Sequence, residues 1–319
     1  MYSDLKVFSG NSNKRLAKEI CRHLNIPLSK LDISRFSNDN LFIQVKENVR
    51  EKDVFVIQSF SRPVSNHIME LLITLDALRS ASAKRITAVV PYYSYARSDK
   101  KDAPRISIAG RLMADLLKTA GANRVLTMDL HADSVHGFFS VPVDHLTAIP
   151  IICDYFKKRL DISNAVVVAT DAGGAKRVGR FAKKMNTSMA IIDKRRISDT
   201  DVVQGLVVGD VKEKDAIIFD DEISTGGTII ASIETLEKAG VRKIYVGATH
   251  PVLSGPAGER IQNSPIKSVI STNTIPLSKE LEEIGKIKIL SVAALFGEAI
   301  IRIHSESSVS SLFDSDGDL

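Results

Sequence analysis

Short apolar runs alternate along the chain with segments of helical periodicity. Amphipathic stretches predict helices over residues 66–81, 108–121 and 227–240, and the last two end in glycine, a common helix stop. The apolar runs are continuous and rich in β-branched residues, which is typical of strands buried on both faces of a parallel sheet; they span residues 53–59, 85–92, 123–129, 164–170, 215–221 and 242–250. This alternation predicts an α/β fold, with mainly parallel sheets flanked by helices.

Two stretches of the chain share one order of features. Residues 73–96 and 231–254 each hold a helical segment, a break of small residues, a basic residue and a strand that ends in a proline-containing loop. This repeat, in a chain about twice as long as a typical domain, predicts two related α/β domains. We expect an N-terminal domain over residues 1–146, a C-terminal domain over 147–305 and a polar, acidic tail over 306–319.

Composition and charge exclude several classes of protein. Hydrophobic residues make up 44% of the chain and charged residues 25%, which excludes disordered, collagen-like and disulfide-rich chains. A net charge of +5 is compatible with phosphorylated ligands but too small to argue for nucleic acid. The sequence shows neither an apolar run of about 20 residues nor a signal-peptide pattern. Cys21 and Cys153 lie in apolar stretches, as expected for buried reduced thiols of a cytoplasmic protein without membrane or nucleic-acid partners.

The strongest chemical signal lies in residues 217–228, IIFDDEISTGGT, where a buried strand runs into two acids, a loop of small residues and a helix. Backbone N–H groups in such a loop and the positive end of the helix form a cradle for phosphate. Carboxylates at the strand end can accept hydrogen bonds from sugar hydroxyls, whereas a purely structural turn would leave two acids there without a partner. The segment therefore predicts a sugar-phosphate site formed by Asp220, Asp221, Ser224, Thr225, Gly226, Gly227 and Thr228.

Other predicted strands also end in polar residues. Asp171 follows the strand at 164–170 and precedes two glycines that open a helix with Lys176 and Arg177, and His131 follows the strand at 123–129. The carboxyl ends of parallel strands lie on one edge of a sheet, where open α/β sheets bind ligands. An Asp and a His at that edge suit Mg²⁺, directly or through its waters, although a His at a strand end is often structural.

Two basic segments are candidates for polyphosphate contacts. Lys194, Arg195 and Arg196 follow an apolar strand, either as a solvated loop or as a mobile flap whose cations neutralise the charge that develops in phosphoryl transfer. Residues 91–105 interleave tyrosines with basic side chains. They could stack a base and hold phosphates, bind single-stranded nucleic acid, or pack against a neighbouring subunit.

These segments together resemble the ribose-phosphate pyrophosphokinases, also called phosphoribosyl pyrophosphate synthetases. The matching segments run in order through residues 35–59, 91–102, 127–146, 170–177, 191–196, 219–228, 249–257, 272–277 and 306–313. The resemblance implies two phosphoribosyltransferase-like domains and an enzyme of nucleotide biosynthesis that uses Mg²⁺. Such an enzyme transfers the β,γ-diphosphoryl group of ATP to the 1-hydroxyl of ribose 5-phosphate, giving AMP and 5-phosphoribosyl 1-pyrophosphate.

The resemblance also implies roles for individual residues. Lys194 and Arg196 fall on a catalytic flexible loop, and His131 and Asp171 fall on a Mg²⁺-associated pair. The ribose 5-phosphate loop falls on residues 220–228, and the ATP contacts fall on Phe36, Asn38, Asn40, Arg97, Ser98, Asp102 and His131. The resemblance further implies a homo-oligomer, a hexamer built from dimers. Its phosphate and ADP effectors would bind near Arg50, Ser82, Arg105, Ser308 and Ser310.

Several positions depart from the family pattern. Asn38-Asp39-Asn40 stands where Asp-Gly-Glu is usual, which bears on adenine binding and on the choice of nucleotide. Ser98 replaces a Gln, Ser224 replaces a frequent Asp, and residues 103–106 form a segment one residue shorter than usual, which bears on regulation.

Two alternatives to an active synthetase follow from the same motifs. One is a catalytically silent regulatory subunit of the family, and the other is a purine or pyrimidine phosphoribosyltransferase that consumes the product. The uninterrupted segment 194–205 and the intact acids favour the active enzyme. The repeated domain and the chain length argue against the transferase.

Overall fold

The computed structural model of the protein describes residues 4–195 and 204–312. The chain divides into two compact units. The first comprises Met1–Thr147, Thr274–Pro276 and Ser291–Leu319, and the second comprises Ala148–Asn273 and Leu277–Leu290. Each unit is an α/β structure with a mainly parallel sheet and flanking helices, which confirms the predicted fold class.

The first unit is built on a five-stranded sheet. Its elements as far as residue 147 are β1 (Leu5–Ser9), α1 (Lys14–Leu24), β2 (Leu31–Arg35), β3 (Leu41–Val45), β4 (Asp53–Ile57), α2 (Val64–Ser80), β5 (Arg85–Val90), α3 (Ala109–Ala120), β6 (Arg124–Met128) and β7 (Val143–Leu146). The strand order is β1-β4-β5-β6-β7 and all neighbours are parallel, while β2 and β3 form a separate antiparallel hairpin. Every residue of β4 is buried, as expected for a strand covered on both faces.

The second unit is built on a seven-stranded sheet. Its elements are α4 (Ile149–Lys157), β8 (Ala165–Ala169), α5 (Ala175–Met185), β9 (Ser188–Arg195), β10 (Gln204–Val208), β11 (Asp215–Glu222), α6 (Gly227–Lys238), β12 (Lys243–His250), α7 (Ala257–Asn263), β13 (Ser268–Thr272), α8 (Lys279–Glu282) and β14 (Ile287–Leu290). The order is β10-β9-β8-β11-β12-β13-β14, and all neighbours are parallel except β9 and β10. In its core the rings of Phe181 and Phe219 stack with centroids 4.0 Å apart.

The residues at the two ends of helix α1 determine where this helix begins and ends. The Asn13 side chain accepts the N–H of Leu16 at 3.2 Å and caps the helix start, and Asn25 ends the helix in the left-handed conformation at φ 54°. Leu16, Ile20 and Leu24 are buried on one face. Full burial of such a side chain contributes about 1.5–3 kcal/mol. The helix is therefore held mainly by the surface that it buries.

Helix α9 (Ala293–His304) belongs to the first unit. It packs against α1, with Gly297 lying against the His23 ring, and His304 Nδ1 lies 2.8 Å from Asp53 Oδ2 at the start of β4. The predicted C-terminal domain of residues 147–305 is thus wrong at its end, because the apolar face of α9 is buried within the first unit. Residues 306–312, predicted as part of a separate tail, also belong to that unit.

The chain returns briefly to the first unit at Thr274–Pro276 as well. The Asn13 Nδ2 amide and the Ser59 hydroxyl donate to the Thr274 carbonyl at 3.3 and 2.6 Å. Buried hydrogen bonds of this kind satisfy a carbonyl that would otherwise be desolvated without a partner. The three-residue segment is therefore an ordered part of the first unit.

Composition raised two further expectations, on thiols and on membrane spans. Cys21 and Cys153 are buried free thiols, as predicted, and burial raises the pKa of each to about 12. Such thiols stay protonated at neutral pH and are poor nucleophiles. Within residues 4–195 and 204–312, no helix combines the length and apolar character needed to cross a bilayer.

Candidate active site

One guanidinium holds the two acids at the end of β11. Arg177 Nη1, in the first turn of α5, lies 2.8 Å from Asp220 Oδ1 and 2.7 Å from Asp221 Oδ1. The Asp221 side chain is almost fully buried, whereas that of Asp220 is 26% exposed. Burial and the neighbouring Asp221 carboxyl raise the pKa of Asp220 to about 7, and Arg177 opposes this rise. The two carboxyl groups therefore share less than two full negative charges at neutral pH.

The loop after β11 presents backbone N–H groups. Gly226 adopts φ +73°, a conformation that favours glycine, and directly precedes α6. The first N–H groups of a helix have no intrahelical partner, and the helix dipole adds positive charge there. Thr225 and Thr228 are both exposed at this helix start. The segment has the local form of an anion-binding turn.

A second loop, after β12, braces this turn. The Ser254 N–H donates to the Ser224 carbonyl at 2.9 Å, and the two serine hydroxyls lie 3.2 Å apart. Arg260 Nη1, from α7, donates to the Thr225 carbonyl at 2.8 Å. No motif in the sequence singles out Ser254 or Arg260. Their only signal was a position after the strand next to β11, and the bracing contacts depend on the folded sheet.

Two more predicted residues lie at the same edge of the second sheet. Strands β9, β8 and β11 are parallel neighbours, so their carboxyl ends meet at one edge. Asp171 is exposed after β8, and its Oδ1 accepts the Gly174 N–H at 2.9 Å. Lys194 lies at the end of β9, opposite Gly205 of β10. Arg196, the other predicted catalytic residue, lies outside the described residues.

In the first unit, Arg97 and His131 follow the parallel neighbours β5 and β6, on the carboxyl edge of that sheet. Arg97 is exposed at the end of the short 3-10 helix Ser94–Arg97, and His131 is half-buried. Asp129, just past β6, has φ +37°, and the Asp129 N–H donates to the Leu146 carbonyl at 3.0 Å. The predicted nucleotide residues Arg97 and His131 thus share one sheet edge.

Ser98 has a structural role that the sequence did not reveal. Its hydroxyl accepts the Ala109 N–H at 3.1 Å, at the start of α3, and donates to the Ser107 carbonyl at 3.2 Å. These contacts close the loop of residues 98–109. Asp102 is exposed within this loop.

Phe36, Asn38 and Asn40 lie on the exposed turn of the β2–β3 hairpin. The Phe36 side chain is 56% exposed, and its ring centroid lies 5.5 Å from that of Phe42. Asn38 Oδ1 accepts the Asn40 N–H at 3.3 Å, and the Asn40 carbonyl accepts the Phe36 N–H at 2.9 Å. The three predicted ATP contacts therefore share one exposed turn rather than the end of a core strand.

The predicted regulatory residues all belong to the first unit. Arg50 and Ser82 precede β4 and β5, at the sheet edge opposite to Arg97 and His131, and the N–H of the residue after Arg50 donates to the Ser82 carbonyl at 3.0 Å. The Ser308 and Ser310 hydroxyls lie 2.7 Å apart. Arg105 is exposed in the loop of residues 98–109 and has φ +64°.

The carboxyl and imidazole groups of the described residues decide how a metal ion could be held. The described part of the chain holds no group of three or more His, Cys, Asp or Glu side chains that could form a metal cage. Mg²⁺ is commonly held by one or two carboxylates together with substrate phosphates and waters. Asp171, exposed and with one oxygen on a backbone N–H, fits that mode of binding.

Comparison with known proteins identifies the family. Residues 5–121 match the N-terminal domain of ribose phosphate pyrophosphokinase, and residues 202–314 match the phosphoribosyl synthetase-associated domain. A ribose-phosphate pyrophosphokinase of Deinococcus radiodurans is 52% identical over 314 residues, and one of Bacillus cereus is 49% identical over 312 residues; each alignment covers 98% of both chains. The crystal structure of phosphoribosylpyrophosphate synthetase from Mycobacterium smegmatis superposes with a TM-score of 0.91 and 38% identity, covering 96% of this chain and 100% of that one. The chain therefore belongs to the ribose-phosphate pyrophosphokinase family of enzymes.

Proposed function

We propose that this protein transfers the β,γ-diphosphoryl group of Mg-ATP to the 1-hydroxyl of ribose 5-phosphate. The products are 5-phosphoribosyl 1-pyrophosphate and AMP. The observation that carries the proposal is the paired carboxyl groups of Asp220 and Asp221, followed directly by an anion-binding turn at the start of α6. Family membership and the names of the relatives support it.

Ribose 5-phosphate is the ligand that suits this segment. The turn of residues 224–228 offers N–H groups and the helix dipole to the 5-phosphate. Asp220 and Asp221 can accept hydrogen bonds from the ring hydroxyls. The bonds from Ser254 and Arg260 hold the turn in place, so little ordering is required when the ligand binds.

The ATP side of the proposal rests on the first unit. Arg97 and His131 supply polar contacts at one sheet edge, and the hairpin turn supplies Phe36, Asn38 and Asn40 for the base of an ATP bound by a neighbouring subunit. His131 and Asp171 would hold Mg²⁺, which when bound neutralises charge on the triphosphate. Asn40 is neutral where an acid is usual in the family. The rates with ATP and with other nucleoside triphosphates should therefore be compared, to measure which nucleotide the protein uses as diphosphoryl donor.

The transfer step needs positioned cations rather than covalent catalysis. The 1-hydroxyl oxygen bonds to the β-phosphorus, and the bond from that phosphorus to the α,β-bridging oxygen breaks. AMP leaves with the bridging oxygen, and one proton is released to solvent. Lys194 and Arg196 stabilise the negative charge that develops, and one such cation contributes on the order of 3 kcal/mol.

A direct assay tests the proposal. The protein is incubated with Mg-ATP and ribose 5-phosphate, and ³¹P NMR should show AMP and 5-phosphoribosyl 1-pyrophosphate in equal amounts. Absence of AMP at millimolar substrate would instead favour a catalytically silent subunit. Consumption of 5-phosphoribosyl 1-pyrophosphate in the presence of a free base would favour a phosphoribosyltransferase.

Assembly and regulation belong to the same proposal. The protein forms a homo-oligomer, a hexamer built from dimers, with phosphate and ADP acting near Arg50, Ser82, Arg105, Ser308 and Ser310. Light scattering coupled to gel filtration measures the assembly. The NMR assay, repeated with added phosphate or ADP, measures the regulation, and a rate unchanged by both would contradict it.

A further inference from the structure

The family motifs assign no role to Arg177, yet its side chain contacts both acids at the end of β11. It lies in the first turn of α5, and its side chain is only 19% exposed. A single nitrogen, Nη1, reaches one oxygen of Asp220 and one oxygen of Asp221. The contact with Asp220 Oδ1 is a hydrogen bond, and the contact with Asp221 Oδ1 is an ion pair, so the guanidinium orients the first carboxyl group and stabilises the charge of the second.

The topology explains why Arg177 reaches the acids. Strands β8 and β11 are parallel neighbours in the sheet, paired from Ala165 and Asp215 to Val168 and Ile218. The turn that holds Asp171 leaves β8 and leads directly into α5, so the first turn of α5 starts beside the end of β11. Arg177 thereby joins the turn after β8 to the acids of β11 within one unit.

The contacts also orient the carboxyl group of Asp220. Asp220 Oδ1 receives Arg177 Nη1 and the Asp221 N–H, each at 2.8 Å. Two protein donors on one oxygen fix the orientation of the carboxyl group. The oriented carboxyl group can then accept from a sugar hydroxyl. Without Arg177 the two acids would repel each other in a largely buried position, and this orientation would be lost.

We infer that Arg177 is a positioning residue for ribose 5-phosphate, acting through Asp220 and Asp221 and without touching the sugar itself. The inference rests on the proposed function. It predicts a selective defect, in which affinity for ribose 5-phosphate falls while the Mg-ATP contacts are retained. A guanidinium that only stabilised the fold would affect both substrates or neither.

The test compares Arg177→Gln, Arg177→Lys and the matched control Arg180→Gln, on the exposed face of the same helix. We expect Arg177→Gln to raise the KM for ribose 5-phosphate about tenfold or more, and to change that for Mg-ATP by less than about threefold. Lysine should rescue part of the loss, because one nitrogen makes both contacts. Arg180→Gln should change neither constant by more than about twofold.

A double-mutant cycle shows whether Arg177 acts on ribose 5-phosphate binding through Asp220. In an Asp220→Ala background, which removes the acceptor at position 220, Arg177→Gln should raise the KM for ribose 5-phosphate much less than in the wild type, because the carboxyl group that Arg177 orients is gone and only Asp221 remains for Arg177 to act on. Equal effects in both backgrounds would overturn the inference, as would equal losses for the two substrates. If Arg177→Gln fails to fold, the same cycle with Arg177→Lys decides the question.

Failure of the proposed function would look different. A wild-type protein that yields no AMP but binds ribose 5-phosphate in calorimetry, more tightly than Arg177→Gln does, would refute the reaction and support the inference. A wild-type protein that neither reacts nor binds the sugar phosphate would overturn both. An active wild type with an unaltered Arg177→Gln would overturn the inference alone.

Discussion

Replacing Asp220 by Asn tests the electrostatics of the two acids without any ligand. Burial and the Asp221 carboxyl raise the pKa of Asp220 from 3.8 to about 7. The folded protein therefore keeps this proton over a pH range in which the unfolded chain has lost it. A group whose pKa is raised on folding costs stability as pH rises, so the wild-type protein should lose stability between about pH 4 and pH 7 through this carboxyl.

The magnitude follows from the proton linkage. Where the folded state binds one more proton than the unfolded state, each pH unit changes the free energy of unfolding by about 1.4 kcal/mol. From pH 5 to pH 8 the loss is at most about 3 kcal/mol. The Asp220 side chain is partly exposed and Arg177 lies beside it, so we expect about 1–3 kcal/mol. An amide at this position removes the titration and can still accept from Arg177.

Urea denaturation at pH 5 and pH 8, at constant ionic strength, measures this effect. At each pH, the unfolding free energy of the wild type is subtracted from that of Asp220→Asn. This difference should become more positive by about 1–3 kcal/mol at the higher pH. Asp210→Asn is the control, because Lys214 lowers the pKa of that exposed acid and keeps it ionised throughout this range. A difference that stays constant or falls would show that Asp220 is already ionised at pH 5, and would refute the argument.

Three other substitutions test separate parts of the structure. Gly226→Ala should cost about 1 kcal/mol in unfolding free energy, because φ +73° disfavours alanine, and should raise the KM for ribose 5-phosphate; an unchanged KM would contradict the role of the turn. Lys194→Ala should lower kcat about 100-fold with that KM near normal, and an equal loss of affinity would contradict a transition-state role. Arg85→Met should lower the unfolding free energy by about 2–3 kcal/mol, because it leaves the buried Asp53 without its bidentate partner, whereas the exposed Arg111→Met should cost less than about 0.5 kcal/mol.

How much of the fold was predictable depends on the kind of strand. The six predicted runs correspond to β4, β5, β6, β8, β11 and β12, whose residues are almost all buried, and the three predicted helices correspond to α2, α3 and α6. Strands β2 and β3 alternate half-buried and exposed residues and carry polar side chains. Strand β10, at the sheet edge, exposes Leu206 and Val208. Short or edge strands have no continuous apolar run, so the pattern did not reveal them.

Some residues of the candidate site were predictable from the sequence and others were not. Asp220, Asp221 and the turn at Gly226 were predictable because they are contiguous in sequence and form one local unit. The Arg177 and Arg260 contacts depend on which strands neighbour β11, and spacing along the chain does not encode strand order. The position of α9 was missed for a related reason, since periodicity shows that a helix has an apolar face but not which sheet it covers.

The interrupted path of the chain has a consequence for synthesis. Helix α1 is translated long before its packing partner α9. The second unit is almost continuous from Ala148 to Leu290, so all its strands have been translated before α9 emerges from the ribosome. Until then the nascent first unit lacks the cover that α9 gives to α1, and a truncated product ending near Thr147 would keep that surface exposed and be prone to aggregate.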